Sequence, residues 1–191
     1  MEITRFEGDF NTSLEKALGE IEPNFTALPG IIVTGSHLMN GIEEKLALIK
    51  KAREENIPFL GICAGMQLAS IEWVRNFANL KEANSTEINK NTPNPVVVKM
   101  KERFTGIAPV TWFDGNVTYE SHWHNYALNP YYLRYFPNEL WDISFGKHCI
   151  EIMKLKIHPF FWLTQFHSEY QSSKDKPHPL LLEFINICRN N

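Results

Sequence analysis

The residues best suited to chemistry in this sequence surround Cys63, which stands between Gly61 and Gly65. The short apolar run Ile57–Leu60 precedes the cysteine, and a helical pattern from Met66 follows it. A strand that turns sharply into a helix exposes the residue at the turn in a strained conformation, which flanking glycines permit. The N-terminus of the following helix favours the thiolate form of the sulfur. The pattern therefore predicts a nucleophile at Cys63 rather than the more common buried core cysteine.

A cysteine nucleophile needs a base, and the base needs a group that orients it. His167 ends the apolar stretch Phe160–Phe166, and Glu169 follows two positions later. Residues i and i+2 of an extended segment point the same way, so Glu169 can hold the ring of His167 and stabilise its charged form. The spacing alone also fits a surface histidine beside an incidental carboxylate. Together with Cys63, it predicts a Cys-His-Glu triad.

Attack of a thiolate on an amide creates a negatively charged oxygen, which backbone N–H groups stabilise. The N–H of Ala64 directly follows the nucleophile and is well placed for this role. We expect a second donor at Gly35-Ser36, where the apolar run Ile31–Val33 ends. The same loop equally fits an ordinary strand-to-helix turn, and one loop can serve both purposes.

Short apolar runs alternate with helical patterns along the chain, and the polar stretch Asn84–Pro95 between them is expected to be a loop. The expected strands are Ile3–Phe6, Gly30–Val33, Ile57–Leu60, Pro95–Lys99, Gly106–Thr111, Asn116–Glu120, Cys149–Leu155 and Phe160–Phe166. The expected helices are Thr12–Ile21, Ile42–Glu55, Met66–Phe77 and Pro179–Cys188. Asp114-Gly115 is typical of a hairpin turn. This alternation predicts an α/β fold, a doubly wound, mainly parallel sheet with helices on both faces.

The composition bounds the class of protein. A length of 191 residues with no visible linker predicts one domain over residues 1–191. The net charge of −3 and the lack of a basic stripe argue against a nucleic-acid partner. Three widely spaced cysteines do not make a disulfide framework and favour a reducing compartment. No apolar run is long enough to span a bilayer, so we expect a cytoplasmic protein without a membrane partner.

The histidines offer a competing use as metal ligands. His122 and His124 place two rings on the same side of a strand, a spacing that some metal sites use. No cysteine or acid completes a ligand pattern with them, so a lid or packing role is favoured and no metal is expected. The sequence also has no phosphate-binding glycine loop and no dinucleotide fingerprint, so no cofactor is expected.

The segment Gly61–Ala69, taken with His167-Ser-Glu169, resembles the class I (triad) glutamine amidotransferases. The wider sequence is similar to the glutaminase domain of CTP synthase. The similar segments, in the order of that family, are Gly41–Lys45, Ala52–Cys63, Ile71–Asn76, Ala83–Glu87, His122–Pro130, His158–Phe161, Gln165–Tyr170 and Pro179–Leu181.

The resemblance implies a flavodoxin-like sheet and a C–N hydrolase that converts glutamine to glutamate and ammonia. It implies that Cys63 is the nucleophile, that His167 is base and acid, and that Glu169 orients the ring. It further implies that Gln67 and Glu87 hold the substrate, with Glu87 facing the α-ammonium group. The full set of residues expected at the substrate site is Gly35, Gln67, Glu87, His124 and Asn125.

Four departures from the family pattern bear on function. The family has two glycines and a phenylalanine where this chain has Gly35-Ser36-His37. Asn125 stands where an arginine of the family binds the α-carboxylate, and losing a bidentate cation costs on the order of a hundredfold or more in affinity. The lead-in before the oxyanion strand is short, and the sequence does not include the ATP-using synthetase domain that consumes the ammonia.

Three functions therefore stay open. The chain is a glutaminase that passes ammonia to a separate synthetase subunit, or it hydrolyses another small amide without using the α-carboxylate contact. The third function is a non-catalytic regulatory or binding module. The complete triad favours a hydrolase of glutamine or a related γ-glutamyl amide over this third function.

Overall fold

Two β-sheets and four α-helices build the protein in the computed structural model, which describes residues 1–191. The strands are β1 (Glu2–Ile3), β2 (Ile31–Val33), β3 (Phe59–Ile62), β4 (Ala83–Ser85), β5 (Asn94–Thr111), β6 (Val117–Leu128), β7 (Trp141–Phe145), β8 (Ile150–Leu155) and β9 (Phe161–Thr164). The helices are α1 (Asn11–Ile21), α2 (Ile42–Glu54), α3 (Ala64–Asn76) and α4 (Pro179–Asn190). None of these helices is both long enough and apolar enough to span a lipid bilayer.

The larger sheet has six strands in the order β1-β2-β3-β9-β8-β7. Strands β1, β2, β3 and β9 run parallel, and β8 and β7 continue the sheet as antiparallel strands. Every residue of β2, β3 and β9 is buried, as expected for strands covered on both faces. Helices α2 and α3 contribute to the core on one face, and α1 and α4 to the core on the other. The predicted fold class is confirmed.

The carboxyl ends of β2 and β3 come close to helix α3 because Gly65 lacks a side chain. A Cβ atom on Gly65 would lie 2.0 Å from the carbonyl oxygen of Val33. A Cβ on Gly61 would lie 3.0 Å from the carbonyl group of Gly65. The two glycines beside Cys63 therefore let α3 begin directly against the sheet, which fixes the position of the turn between them.

The smaller sheet consists of β4, β5 and β6, and it differs most from the prediction. The long hairpin of β5 and β6 turns at Asp114-Gly115, as predicted, with Gly115 at a φ of 85°. Strand β5 runs unbroken through a charged segment that we expected to interrupt it, because exposed hairpin arms need no apolar alternation. Strand β4 lies at the start of the predicted loop, and the edge strand β7 was missed.

Candidate active site

Cys63 lies between the end of β3 and the first residue of α3. Its backbone has a φ of 53° and a ψ of −103°, a strained conformation for a residue with a side chain. Two backbone hydrogen bonds hold it there, because its N–H donates to the carbonyl of Thr164 at 2.7 Å and its carbonyl accepts from Gln67 at 3.2 Å. The strand, turn and helix expected around Cys63 are all present.

His167 and Glu169 form a buried pair just after β9. The Nδ1–H of His167 donates to Oε1 of Glu169 at 2.7 Å, and both side chains are almost fully buried. Burial by itself lowers the pKa of His167, but the proximity of Cys63 and the hydrogen bond to Glu169 raise it to about 10. The ring is therefore positively charged at neutral pH. Its Nε2 is buried and has no hydrogen-bond partner in the protein.

Two aromatic side chains that sequence reasoning missed hold the imidazole ring of His167. The ring of Tyr170 stacks on it with 4.8 Å between centroids, and Phe10 packs edge-on at 5.8 Å. Phe10 also stacks on His37 at 5.5 Å. Burial raises the pKa of Tyr170 to about 12, so its hydroxyl group stays neutral beside the charged ring. Tyr170 directly follows the His-Ser-Glu motif, whereas no feature of the sequence pointed to Phe10.

Gly35 lies where this aromatic packing leaves no room for a side chain. A Cβ on Gly35 would lie 2.7 Å from Cε1 of His167 and 2.9 Å from the ring of Phe10. The same Cβ would lie 3.5 Å from the Cβ of Cys63. The structure thus places the Gly35 loop directly against the cysteine and the histidine.

The two backbone donors predicted for an oxyanion, the N–H groups of Ala64 and Ser36, belong to residues that border the cavity beside Cys63. The Gly35 carbonyl accepts a hydrogen bond from Phe10, and His37 donates to the carbonyl of Gly8, which leaves the intervening N–H of Ser36 unpaired. Ala64 is the first residue of α3, so its N–H has no partner within the helix. Both residues line the same cavity as Cys63.

The cavity has a volume of about 150 Å³ and is walled by the β2 loop, the start of α3 and the second sheet. Its lining residues are Phe10, Ser36, His37, Cys63, Ala64, Gln67, Glu87, Arg103, Trp123, His124, Asn125 and Tyr126. All the predicted substrate residues except Gly35 are among them. The cavity is small compared with typical ligand pockets, which restricts it to a small molecule.

Gln67 connects the cavity wall to the cysteine. Its Nε2 donates to the carbonyl of Tyr126 at 2.8 Å and to Oε1 of Gln165 at 3.4 Å. Nε2 of Gln165 in turn lies 3.7 Å from Sγ of Cys63. The amide group of Gln67 is therefore held on its nitrogen side, and its Oε1 can accept a hydrogen bond from a ligand.

His124 and Glu87 each present an acceptor without a protein partner. Burial, with the neighbouring His122, lowers the pKa of His124 to about 4, so this ring is neutral at physiological pH. Its Nδ1–H donates to the carbonyl of Tyr126 at 3.1 Å, and its Nε2 is buried and unpaired. Glu87 is exposed at the cavity mouth, where partial desolvation of the carboxyl group raises its pKa. The cavity can therefore accept hydrogen bonds from an ammonium or amide group.

His122 takes no part in the cavity. Its Nε2 lies 2.9 Å from Oε2 of Glu151, and its Nδ1 lies 3.0 Å from the carbonyl of Glu120. The ring also stacks on Phe104. The structure brings together no group of three or more His, Cys, Asp or Glu side chains that could hold a metal ion. Both ring nitrogens of His122 therefore have hydrogen-bond partners within the protein, which fits a structural role for this side chain.

Asn125 and Arg103 lie together in the cavity wall. Sequence reasoning considered only Asn125, the position of the family's arginine, and missed Arg103 on the neighbouring strand. Arg103 is the only lysine or arginine among the lining residues. The sequence predicted a break between the strands Pro95–Lys99 and Gly106–Thr111, where Arg103 lies. It therefore did not indicate that Arg103 lies next to the strand that carries Asn125.

Comparison with known proteins agrees with this geometry. The family model described as "Glutamine amidotransferase class-I" matches residues 8–187. The chain belongs to the class I glutamine amidotransferase family. It is 38% identical to the CTP synthase of Prochlorococcus marinus strain MIT 9215 over 193 residues, covering 90% of this chain and 36% of that protein. The CTP synthase of Caldanaerobacter subterraneus is also 38% identical, over 84% of this chain and 34% of its own length. The chain thus spans about a third of these curated relatives.

Two solved structures show the same fold as this amidotransferase domain. The glutaminase domain of Trypanosoma brucei CTPS, described with bound acivicin, matches with a TM-score of 0.87 and 23% identity. The match covers 99% of this chain and 92% of that one. A Thermoplasma acidophilum protein described as one of the subunits of GMP synthase matches with a TM-score of 0.65 and 19% identity, covering 99% and 93% of the two chains.

Proposed function

We propose that this amidotransferase domain hydrolyses the side-chain amide of glutamine, or of a related γ-glutamyl compound, through a thioester on Cys63. The observation that carries the proposal is the charged ring of His167, which lies beside the strained Cys63 and is held by Glu169 at 2.7 Å. A thiolate beside an imidazolium is a ready nucleophile, with the acid needed by the leaving group already in place.

In the first half of the reaction, the thiolate of Cys63 attacks the amide carbon and forms a C–S bond. The electron pair of the carbonyl moves onto oxygen, which the N–H groups of Ala64 and Ser36 stabilise. Nε2 of His167 gives its proton to the amide nitrogen. The C–N bond then breaks, so that ammonia leaves and a thioester and a neutral imidazole remain.

In the second half, the neutral imidazole of His167 takes a proton from water. The resulting hydroxide attacks the thioester carbon, and the C–S bond breaks as the tetrahedral intermediate collapses. The product forms as a carboxylic acid, loses its proton to solvent and leaves as glutamate, and the thiolate of Cys63 and the imidazolium of His167 are regenerated. Glu169 accepts the Nδ1–H of His167 and so fixes the tautomer and orientation of the ring.

The cavity supports glutamine as the substrate through its unpaired acceptors. Glu87 at the mouth suits the α-ammonium group, while Gln67 and His124 line the same cavity and leave Oε1 and Nε2, respectively, without a hydrogen-bond partner in the protein. The deep position of Cys63, 5% exposed, requires the amide end of the substrate to enter first.

We further propose that residues 1–191 form one domain whose ammonia is consumed by an ATP-using synthetase. The support is the likeness to CTP synthases, of which this chain corresponds to about a third. The cytoplasmic location predicted from the composition belongs to the same proposal.

The test is ammonia release from L-glutamine by the purified chain and by a Cys63→Ala variant. We expect a loss of at least about a thousandfold in Cys63→Ala, because the covalent route is removed. Cys188→Ala removes another buried thiol, located in α4 away from the cavity, and should keep full activity.

Other small amides belong in the same assay. If another amide releases ammonia in a Cys63-dependent reaction and glutamine does not, that amide is the substrate, and the hydrolase mechanism still holds. If no amide reacts and an electrophilic glutamine analogue leaves Cys63 unlabelled by intact-mass measurement, the domain is a non-catalytic module and the proposal is wrong.

A further inference from the structure

Two charged side chains that make no ion pair and no hydrogen bond lie at the mouth of the cavity. Glu87 is the only carboxylate and Arg103 the only lysine or arginine among the twelve lining residues. Neither side chain makes an ion pair or a hydrogen bond elsewhere in the protein. Both are exposed, whereas Cys63 and His167 are buried at the inner end. A ligand with its reacting group inside would therefore place its other end between one negative and one positive charge.

An irregularity in the β5–β6 ladder brings Arg103 to this place. Between the Lys99–Tyr126 pair and the Phe104–His124 pair, β5 advances five residues while β6 advances two. Such bulges re-aim side chains and are common beside active sites. Arg103 immediately precedes Phe104, and Asn125 immediately follows His124, so the two residues occupy the same step of the ladder on opposite strands.

The ring of Trp123 holds the guanidinium group of Arg103. The Cζ atom lies 4.3 Å from the ring centroid, the geometry of a cation–π contact. Stacking on one face leaves the N–H groups along the edge of the planar guanidinium free to donate. Two parallel N–H groups in that fork match the two oxygens of a carboxylate.

We propose that Arg103, positioned by Trp123, binds the α-carboxylate of the substrate and makes the site selective for zwitterionic amino acids. The proposal rests on the function proposed above, since it names the residue that recognises the non-reacting end of that substrate. Arg103 supplies the charge that the neutral amide of Asn125 cannot. The domain therefore needs no arginine on β6 to recognise a free amino acid.

Binding to a catalytically inactive protein tests this assignment without requiring any chemistry. In the Cys63→Ala background, calorimetry compares L-glutamine with its α-carboxamide, which lacks the carboxylate charge. We expect Arg103→Met to weaken glutamine binding by about ten- to a hundredfold, the range for one charged bidentate contact, and to leave binding of the α-carboxamide unchanged. Arg103→Lys should recover part of the loss, because it restores the charge without the fork.

Two further variants separate recognition from packing. Arg134 stacks on Tyr131 outside the cavity, so Arg134→Met removes an arginine–aromatic contact and should change neither affinity. Trp123→Leu should weaken binding of glutamine and spare the α-carboxamide, because Trp123 acts only through the position of Arg103. Equal weakening of both ligands by Arg103→Met would mean a structural role and would overturn the assignment, as would an unchanged affinity for glutamine.

These experiments distinguish failure of the Arg103 assignment from failure of the proposed hydrolase activity. Arg103-dependent binding of glutamine by a protein that releases no ammonia would sustain this inference and reject the hydrolase. If the protein releases ammonia from glutamine but Arg103→Met does not change the affinity for glutamine, only the assignment of Arg103 is rejected. Binding of neither ligand would reject the assignment of Arg103 outright.

Discussion

At the scale of the residue, Cys63 combines a strained backbone with a positively charged neighbour, His167. The positive φ turns the sulfur away from the sheet and into the cavity, and α3 directs its positive end at the same atom. His167 remains charged because Cys63 and Glu169 outweigh the burial of its ring. In the proposed mechanism, backbone strain therefore orients the nucleophile, and Glu169 keeps the acid charged.

The charge on His167 predicts the effect of Glu169→Gln. Glutamine can still accept the Nδ1–H but carries no charge, so we expect the pKa of His167 to fall below about 10 and amide hydrolysis to drop by about a hundredfold or more. Titration of the ring by NMR and the pH profile of kcat measure the two effects. Glu183→Gln, on the exposed face of α4, is the control and should change neither.

The same variant carries a stability prediction with a definite sign. A histidine whose pKa is raised on folding stabilises the folded state fully below about pH 6.5, and this contribution is lost as the pH rises towards 10. Urea unfolding should therefore show the largest deficit of Glu169→Gln near pH 6 and a smaller one near pH 9. A deficit that grows with pH would contradict the charged ring.

At the scale of the element, the close approach of α3 to β2 decides where the active cysteine stands. A side chain at position 65 would collide with the main chain of Val33, and backbone cannot move aside as a flexible side chain can. The helix would have to shift away from the sheet, carrying the Ala64 N–H and the Cys63 turn with it.

We therefore expect Gly65→Ala to destabilise the protein by about 3 kcal/mol or more, at or above the upper end for overpacked cores. Gly19→Ala is the matched control in α1, where a Cβ would meet only a ring carbon of Phe25 at an ordinary 3.9 Å. This control should stabilise the protein by up to about 1 kcal/mol through helix propensity. Urea unfolding of the two variants gives both values, and similar changes in both would refute the packing argument.

At the scale of the whole molecule, a buried ion pair ties the N-terminal segment to the site. Nζ of Lys45 on α2 lies 2.5 Å from Oδ1 of Asp9, and both side chains are almost inaccessible to solvent. Asp9 also forms an isolated antiparallel bridge with Ser36. Through this chain of contacts, α2 supports the segment that carries Phe10 and the loop that offers the Ser36 N–H.

Removing one partner of this pair should therefore affect stability and activity together. We expect Lys45→Met to cost about 3–5 kcal/mol, because it leaves the Asp9 carboxylate buried without a counter-charge. Hydrolysis by the folded fraction should also fall, since the Asp9–Ser36 bridge loses its support. Lys50→Met on the exposed face of α2 is the control. Unfolding in guanidinium chloride measures the effect, and equal unfolding midpoints for the two variants would show that the ion pair does not contribute to stability.

Local sequence patterns predicted those features of the protein that depend on residues close together in the chain. The turn at Cys63, the i, i+2 relation of His167 to Glu169 and the buried parallel strands follow from spacing and apolar periodicity. The resemblance to a family added Gln67, Glu87 and the departure at Asn125. All of these residues lie in or beside one cavity.

The tertiary structure alone decided which distant side chains complete the site. Phe10 reaches His167 from the far end of the chain, and Arg103 enters through a bulge whose register depends on β6. The unpaired Nε2 of His124 results from burial by several elements at once. Packing and desolvation depend on contacts between segments far apart in sequence. Neither produces a periodic pattern of apolar residues within a segment, so local sequence patterns do not predict them. The sequence therefore indicated the family and the proposed reaction, and only the fold placed the charge of Arg103 in the cavity wall.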